Sequence, residues 1–218
     1  MTIPDALSAA LTNGFSQIGQ IALFQKDDRF FLCHLDDREK VTRADFSELT
    51  RHVEPGDGIE LSRFAADGHF RFTKAELSLK SGWLFELTSI DEVRETLDNF
   101  YPAALGLWLA EKENRIHVQN LRDKLGRQTG MYRHAGKISD VGAQELVQEI
   151  CGPANQCVKK ILWQIDAKTP LKDSEASQFS GIVNERSEPE AMPILCQEAC
   201  NYFVSRCCAK ARDEFENS

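Results

Sequence analysis

The sequence predicts an α+β protein with a small antiparallel sheet in its N-terminal half and a mainly helical C-terminal half carrying a four-cysteine metal site. Three observations lead there. Short apolar runs broken by turn residues fill the stretch from Ile18 to Thr88, and capped segments with helical spacing follow from Ser89 onward. Six of the seven cysteines fall in the last 68 residues, with only Cys33 apart. A boundary near Ser89 therefore divides the chain into a small α+β domain, 1–88, and a mainly helical domain, 89–218.

At 218 residues and 42% hydrophobic content the chain is long enough to bury a core, so folding alone requires neither metal nor disulfide. The formal charge of -8 argues against a nucleic-acid binder that works by broad phosphate neutralisation. No apolar run approaches the roughly 20 residues of a membrane-spanning helix. Met1 is followed by Thr2, Ile3, Pro4 and Asp5 instead of a basic and then apolar leader, so a cytoplasmic location is expected. In that compartment the cysteines read as thiols or thiolates, not as a disulfide framework.

Taken in order, Pro4 to Asn13 has the look of a short helix, and Ile18 to Gln25 with Arg29 to Leu35 forms a hairpin about Lys26, Asp27 and Asp28. Thr42 to His52 has helical spacing through Phe46 and Leu49. After the breaker Glu54-Pro55-Gly56-Asp57-Gly58, strands are expected at Ile59 to Phe64, His69 to Ser78 and Trp83 to Thr88. Ser89 with Glu92 three residues later is a capping box that opens a helix to about Asn99, and Pro102 can begin the next, through Ala103 to Glu113. Arg115 to Arg133 alternates basic and apolar residues at helical intervals. Ser139 or Asp140 caps a helix that delivers Cys151 at its C-terminal end, where Gly152-Pro153 stops it. Lys159 to Ile165 is ambiguous between helix and strand, Asp166 to Met192 reads as a long loop, and Pro193 opens a helix over Ile194 to Phe215.

The cysteine pairs are Cys151-x5-Cys157 and Cys196-x3-Cys200, with 38 residues between them. Positions four apart on a helix share a face, so Cys196 and Cys200 are expected to aim two sulfurs at one point. Cys151 and Cys157 flank a loop of small and turn-forming residues that can curl around a cluster and offer N–H groups to sulfur. Four thiolates are soft ligands that suit a 4Fe-4S cluster or tetrahedral zinc, and the five-residue gap is wider than the usual zinc knuckle. The metal-free alternative treats the cysteines as small buried hydrophobes, the reading preferred for Cys33. Cys207 and Cys208, seven and eight positions after Cys200, read as packing residues beside the site, with replacement of a named ligand as the alternative.

The stretches CGPANQCVKKILW (Cys151 to Trp163) and PILCQEACNYFV (Pro193 to Val204), with FYPAALGLW and QTGMYR upstream, resemble the 4Fe-4S domain appended to sirohydrochlorin cobaltochelatase-like proteins. The resemblance implies that Cys151, Cys157, Cys196 and Cys200 are the cluster ligands. It also implies a setting near tetrapyrrole or cobalamin-type metal insertion, with a chelatase or redox protein as partner. The α/β units and metal-inserting histidines of the chelatase domains have no counterpart in this sequence, so a free-standing cluster module is expected.

Arg115, His117, Arg122, Lys124, Arg127, Arg133 and His134 make a basic stripe on an acidic background. Arginine forks pair with carboxylates, so Arg127 and Arg133 are candidate contacts for a tetrapyrrole; the alternative is a solvated helix face. No phosphate loop, nucleophile elbow or HExxH pattern occurs, and no catalytic residue is assigned. The rival to a redox or accessory cluster protein is an interaction module with structural zinc or no metal.

Overall fold

The computed structural model describes residues 1–14, 16–71, 73–117, 119–121, 123, 125, 130–151, 157–164, 191–197 and 199–216. They belong to two compact units, one of Met1–Arg115 with Arg186–Ile194 and one of Ile116–Glu185 with Leu195–Ser218. Among the described residues no helix is long and apolar enough to cross a membrane.

In the first unit, α1 (Ile3–Thr12) opens on a capping box between Thr2 and Asp5, with proline in its first turn. Strands β1 (Gln17–Ile18), β2 (Ile21–Lys26) and β3 (Arg29–His34) follow. The expected β2–β3 hairpin forms, and Asp27 and Asp28 take φ values of 49° and 59°, the left-handed pair that a two-residue hairpin turn demands. Next come α2 (Arg38–Thr42), β4 (Thr50–His52), α3 (Asp57–Leu61), β5 (Trp83–Leu87), α4 (Ile90–Phe100) and α5 (Ala104–Lys112). Ser89 caps α4 inside this unit through the expected box with Glu92.

The sheet has six strands in the order β4-β5-β3-β2-β1-β9, where β9 is Ala191–Met192. Its inner pairings are antiparallel, but β4 runs parallel to β5 and β9 parallel to β1, so the sheet is mixed and larger than expected. Both outer strands come from segments that the sequence placed elsewhere: β4 from an expected helix and β9 from the expected long loop. A three-residue or two-residue strand carries too little periodicity to announce itself; its partner strand decides. One face buries Ala22, Cys33 and Leu84 against Val41 and Leu49. On β5 the opposite parity presents Trp83 and Phe85, and Trp83 stacks on Phe100 of α4 with ring centroids 4.9 Å apart. Burial on both faces makes runs such as Ile21-Ala22-Leu23 continuously apolar.

Two other expected strands are absent. The first half of Ile59 to Phe64 lies in α3, where Ile59 is exposed; Gly58 faces Asn99 and Phe100 of α4, and the Asn99 amide donates to the Pro55 carbonyl at 2.8 Å. Among the described residues the stretch from His69 to Leu79 makes only isolated bridges, Phe64 to Phe70 and Ala65 to Leu79. Arg71 organises this region: its guanidinium is buried and donates to the carbonyls of Ser62, Lys74 and Glu76. His34 is buried, and burial holds its pKa below the ordinary value.

Cys33 is the buried hydrophobe that the sequence suggests, and burial pushes its thiol up to about 12 from the ordinary 9.0. The unfolded chain therefore loses this proton first as pH rises. The linked stability is complete below pH 9 and drains away between pH 9 and 12. Urea titrations across that window are expected to show a falling midpoint, and Cys33→Ala should flatten part of the fall. Gly19 (φ 53°) is a second sensitive position, since a Cβ there would stand 2.6 Å from the Tyr101 hydroxyl oxygen and 2.7 Å from Ile194 Cδ1. That hydroxyl accepts the Gln20 N–H at 2.9 Å. Gly19→Ala combines left-handed strain with overpacking and is expected to cost on the order of 3 kcal/mol in chemical denaturation.

Candidate metal centre

The second unit carries β6 (Gln119–Asn120), α6 (Met131–Ala135), α7 (Asp140–Leu146), β7 (Lys159–Ile161), β8 (Trp163–Gln164), β10 (Ile194–Cys196) and α8 (Asn201–Glu216). Strand β8 pairs parallel with β6, and β10 pairs with β7. Its core gathers Leu121, Leu125, Ile138, Val147, Trp163 and Phe203 around Cys151, Cys196 and Cys207.

Cys151 arrives as the sequence predicts. Ser139 caps α7, and the helix passes into a π-helical turn, Val147–Cys151, whose last residue is the cysteine. Such turns carry an extra residue that re-aims the side chains after it. Three contacts pin this segment to α8: Ser139 donates from its backbone N–H and hydroxyl to Glu214 at 2.8 and 2.7 Å, Arg206 pairs with Glu149 at 2.7 Å, and Lys210 pairs with Glu145 at 2.9 Å. Glu149 lies two residues before Cys151, and Arg206 six after Cys200. The pairs thus hold the two cysteine-bearing segments together.

Cys196 and Cys200 reach the site differently from expectation. Residues 194–196 are strand, not helix: they are buried throughout, and the Leu162 N–H donates to the Cys196 carbonyl at 2.9 Å. A short, wholly buried apolar run has no period that separates strand from helix, which is why the sequence misleads here. Helix α8 starts only at Asn201. Cys200 therefore caps it instead of sharing a face with Cys196; its carbonyl accepts from the Val204 N–H at 3.0 Å and its sulfur from the Phe203 N–H at 3.4 Å. Sequence reasoning missed this role, because cysteine is not among the residues whose presence ordinarily signals a helix start.

The thiols feel one another. Burial raises the Cys151 pKa, and the charges of Cys157, Cys196, Cys200 and Cys207 raise it further. Burial pushes Cys157 up to about 11, opposed by a hydrogen bond from the Lys159 backbone N–H and assisted by Cys196 and Cys200. Cys207 is completely buried in the same core, while Cys208 is partly exposed. Among the described residues no group of three or more His, Cys, Asp or Glu side chains is gathered tightly enough for a single metal ion. Cys157 and Cys200 each accept a backbone N–H, and a tilted Trp163–Phe203 ring pair, centroids 5.3 Å apart, belongs to the same core as Cys151 and Cys196. This chemistry fits a sulfur-ligated cluster. Of the basic stripe, Arg133, His117 and His134 are exposed, and Arg127, Arg122 and Lys124 lie outside the described residues, as does the loop 152–156.

Comparison with known proteins divides the chain in the same manner. Residues 4–112, half of the sequence, match the family described as the DR2241 stabilising domain, and residues 113–210 match a 4Fe-4S iron-sulfur cluster binding domain. No curated protein matches. Among solved structures, the 1.9 Å crystal structure of DR2241 from Deinococcus radiodurans is similar over 100% of this chain and 43% of its own, with a TM-score of 0.71 and 23% identity. That protein is described as multi-domain, with structural similarity to chelatases and two additional novel domains. This chain thus spans less than half of that protein's length, and the likeness concerns the fold. On the match to its first half, the chain belongs to the DR2241 stabilising domain family, and its second half carries the 4Fe-4S iron-sulfur cluster binding domain.

Proposed function

We propose that this chain holds a 4Fe-4S cluster on Cys151, Cys157, Cys196 and Cys200, and that the cluster serves a redox or accessory role beside tetrapyrrole metal insertion. What supports the reading is that Cys151 and Cys196 lie in one apolar core with Cys200 packed against it, and that the Cys157 thiol feels the charges of Cys196 and Cys200. Thiols packed together in oil repel as thiolates, so their convergence makes chemical sense where a cationic core neutralises them. When bound, the cluster supplies reversible one-electron storage. The chain's own part is to deliver N–H donors from Lys159 and Phe203 and to exclude water with Trp163 and Phe203.

The tetrapyrrole setting has two supports. The solved relative is described as similar to chelatases, and the second unit has a cavity lined by the basic His134, Lys137 and Arg212, the acidic Glu214 and the apolar Ala211 and Phe215. Exposed Arg133, with Arg127, would receive carboxylates of such a ligand. A chelatase or redox protein is the partner that fits this reading, and a cytoplasmic location follows from the need to keep the thiols reduced.

Anaerobic reconstitution with iron and sulfide tests the reading. The product should be brown, absorb broadly near the violet and contain about four irons and four sulfides per chain. A colourless protein with stoichiometric zinc would replace it with a structural-zinc interaction module, and one that takes up neither metal would leave a metal-free interaction module.

A further inference from the structure

The Trp163 indole Nε1 is buried and has no hydrogen-bond partner among the described residues. The other tryptophan whose N–H is described, Trp83, donates to the Lys80 carbonyl at 2.5 Å, as buried indoles ordinarily do. A buried donor with no acceptor is destabilising, and it recurs in native proteins chiefly where function supplies the partner.

Its surroundings indicate which partner. Leu162, the preceding residue, donates its N–H to the Cys196 carbonyl, which fixes the β7–β8 chain beside one proposed ligand. The indole ring packs on Phe203, whose own N–H donates to the Cys200 sulfur, which fixes it beside another. Trp163 shares its core with the sulfurs of Cys151, Cys196 and Cys207, and Cys200 and Cys208 pack against the same core. Sulfur is thus an acceptor chemistry that this core holds.

We propose that the Trp163 indole N–H donates a hydrogen bond to sulfur of the bound cluster, either an inorganic sulfide or a ligand thiolate, and thereby raises its reduction potential. The inference rests on the cluster reading above and extends it from shielding to electronic tuning. A donor aimed at sulfur stabilises the more negative, reduced state, so its removal makes the cluster harder to reduce. Phenylalanine keeps an aromatic ring in place but lacks the N–H.

The test uses the full chain, reconstituted as wild type and as Trp163→Phe, with iron and sulfide counted before redox titration. At equal iron and sulfide content, Trp163→Phe should shift the reduced-to-oxidised equilibrium roughly tenfold toward the oxidised form, about 59 mV for a one-electron couple. An unchanged potential with a full cluster overturns the hydrogen bond while leaving the cluster reading intact. Wild type that takes up no iron and sulfide overturns both. Should Trp163→Phe fail to assemble, wild type carrying 15N-tryptophan supplies the second measurement. In the reduced, paramagnetic state, pulsed electron resonance is expected to detect coupling to one indole nitrogen, and absence of coupling overturns the proposal.

Discussion

Serine at Cys196 and Cys200 together is expected to abolish the violet absorption and reduce iron and sulfide uptake to background, because a hydroxyl is a harder, weaker ligand than thiolate. Either single substitution should remove most of the absorption. Serine at Cys200 keeps a capping oxygen for the Phe203 N–H, so helix α8 remains formed and circular dichroism should barely change. Cluster loss without unfolding is thus the expected signature. Cys207→Ser is the informative control. Its thiol lies near enough to raise the Cys151 pKa, yet it sits wholly inside the core on α8. If Cys207→Ser abolishes the cluster while Cys157→Ser spares it, the fourth ligand is Cys207 and the proposed set is wrong in that member.

The second large effect concerns Phe203. Its ring is fully buried, packs on Trp163 and sits in the core that holds Cys151 and Cys196. Phe203→Ala should cost about 3–5 kcal/mol by loss of apolar burial and creation of a cavity. Urea denaturation followed by circular dichroism measures this cost, and Phe203→Leu should recover most of it. A cavity beside the cluster also admits water and oxygen, so the holo variant is expected to bleach in air several-fold faster than wild type. Unchanged bleaching would show that the ring pair does not shield the site.

The sequence determined a good deal by itself. The capping box at Ser89 and Glu92 placed α4, Asp27-Asp28 placed the hairpin, and Ser139 with the apolar spacing that follows placed the helix leading to Cys151. These signals are local: each is a side chain satisfying a backbone group within a few residues, or a turn whose φ values few residues accept. The α+β character and the resemblance to a 4Fe-4S domain were legible for the same reason, since clustered cysteines and capped helices keep their meaning without knowledge of the fold.

What tertiary structure alone decided are the pieces too short to carry a period. Strands β4, β9 and β10 have three, two and three residues and exist because a partner strand lies beside each. The consequence reaches the site: Cys196 stands on a strand and Cys200 on a helix cap, so their proximity comes from the fold around them and not from one helical face. Likewise Arg71 holds as turns what alternation marked as strand, by occupying three carbonyls. The burial of the Trp163 N–H without a partner among the described residues is of this kind too, because only tertiary packing encloses a side-chain donor.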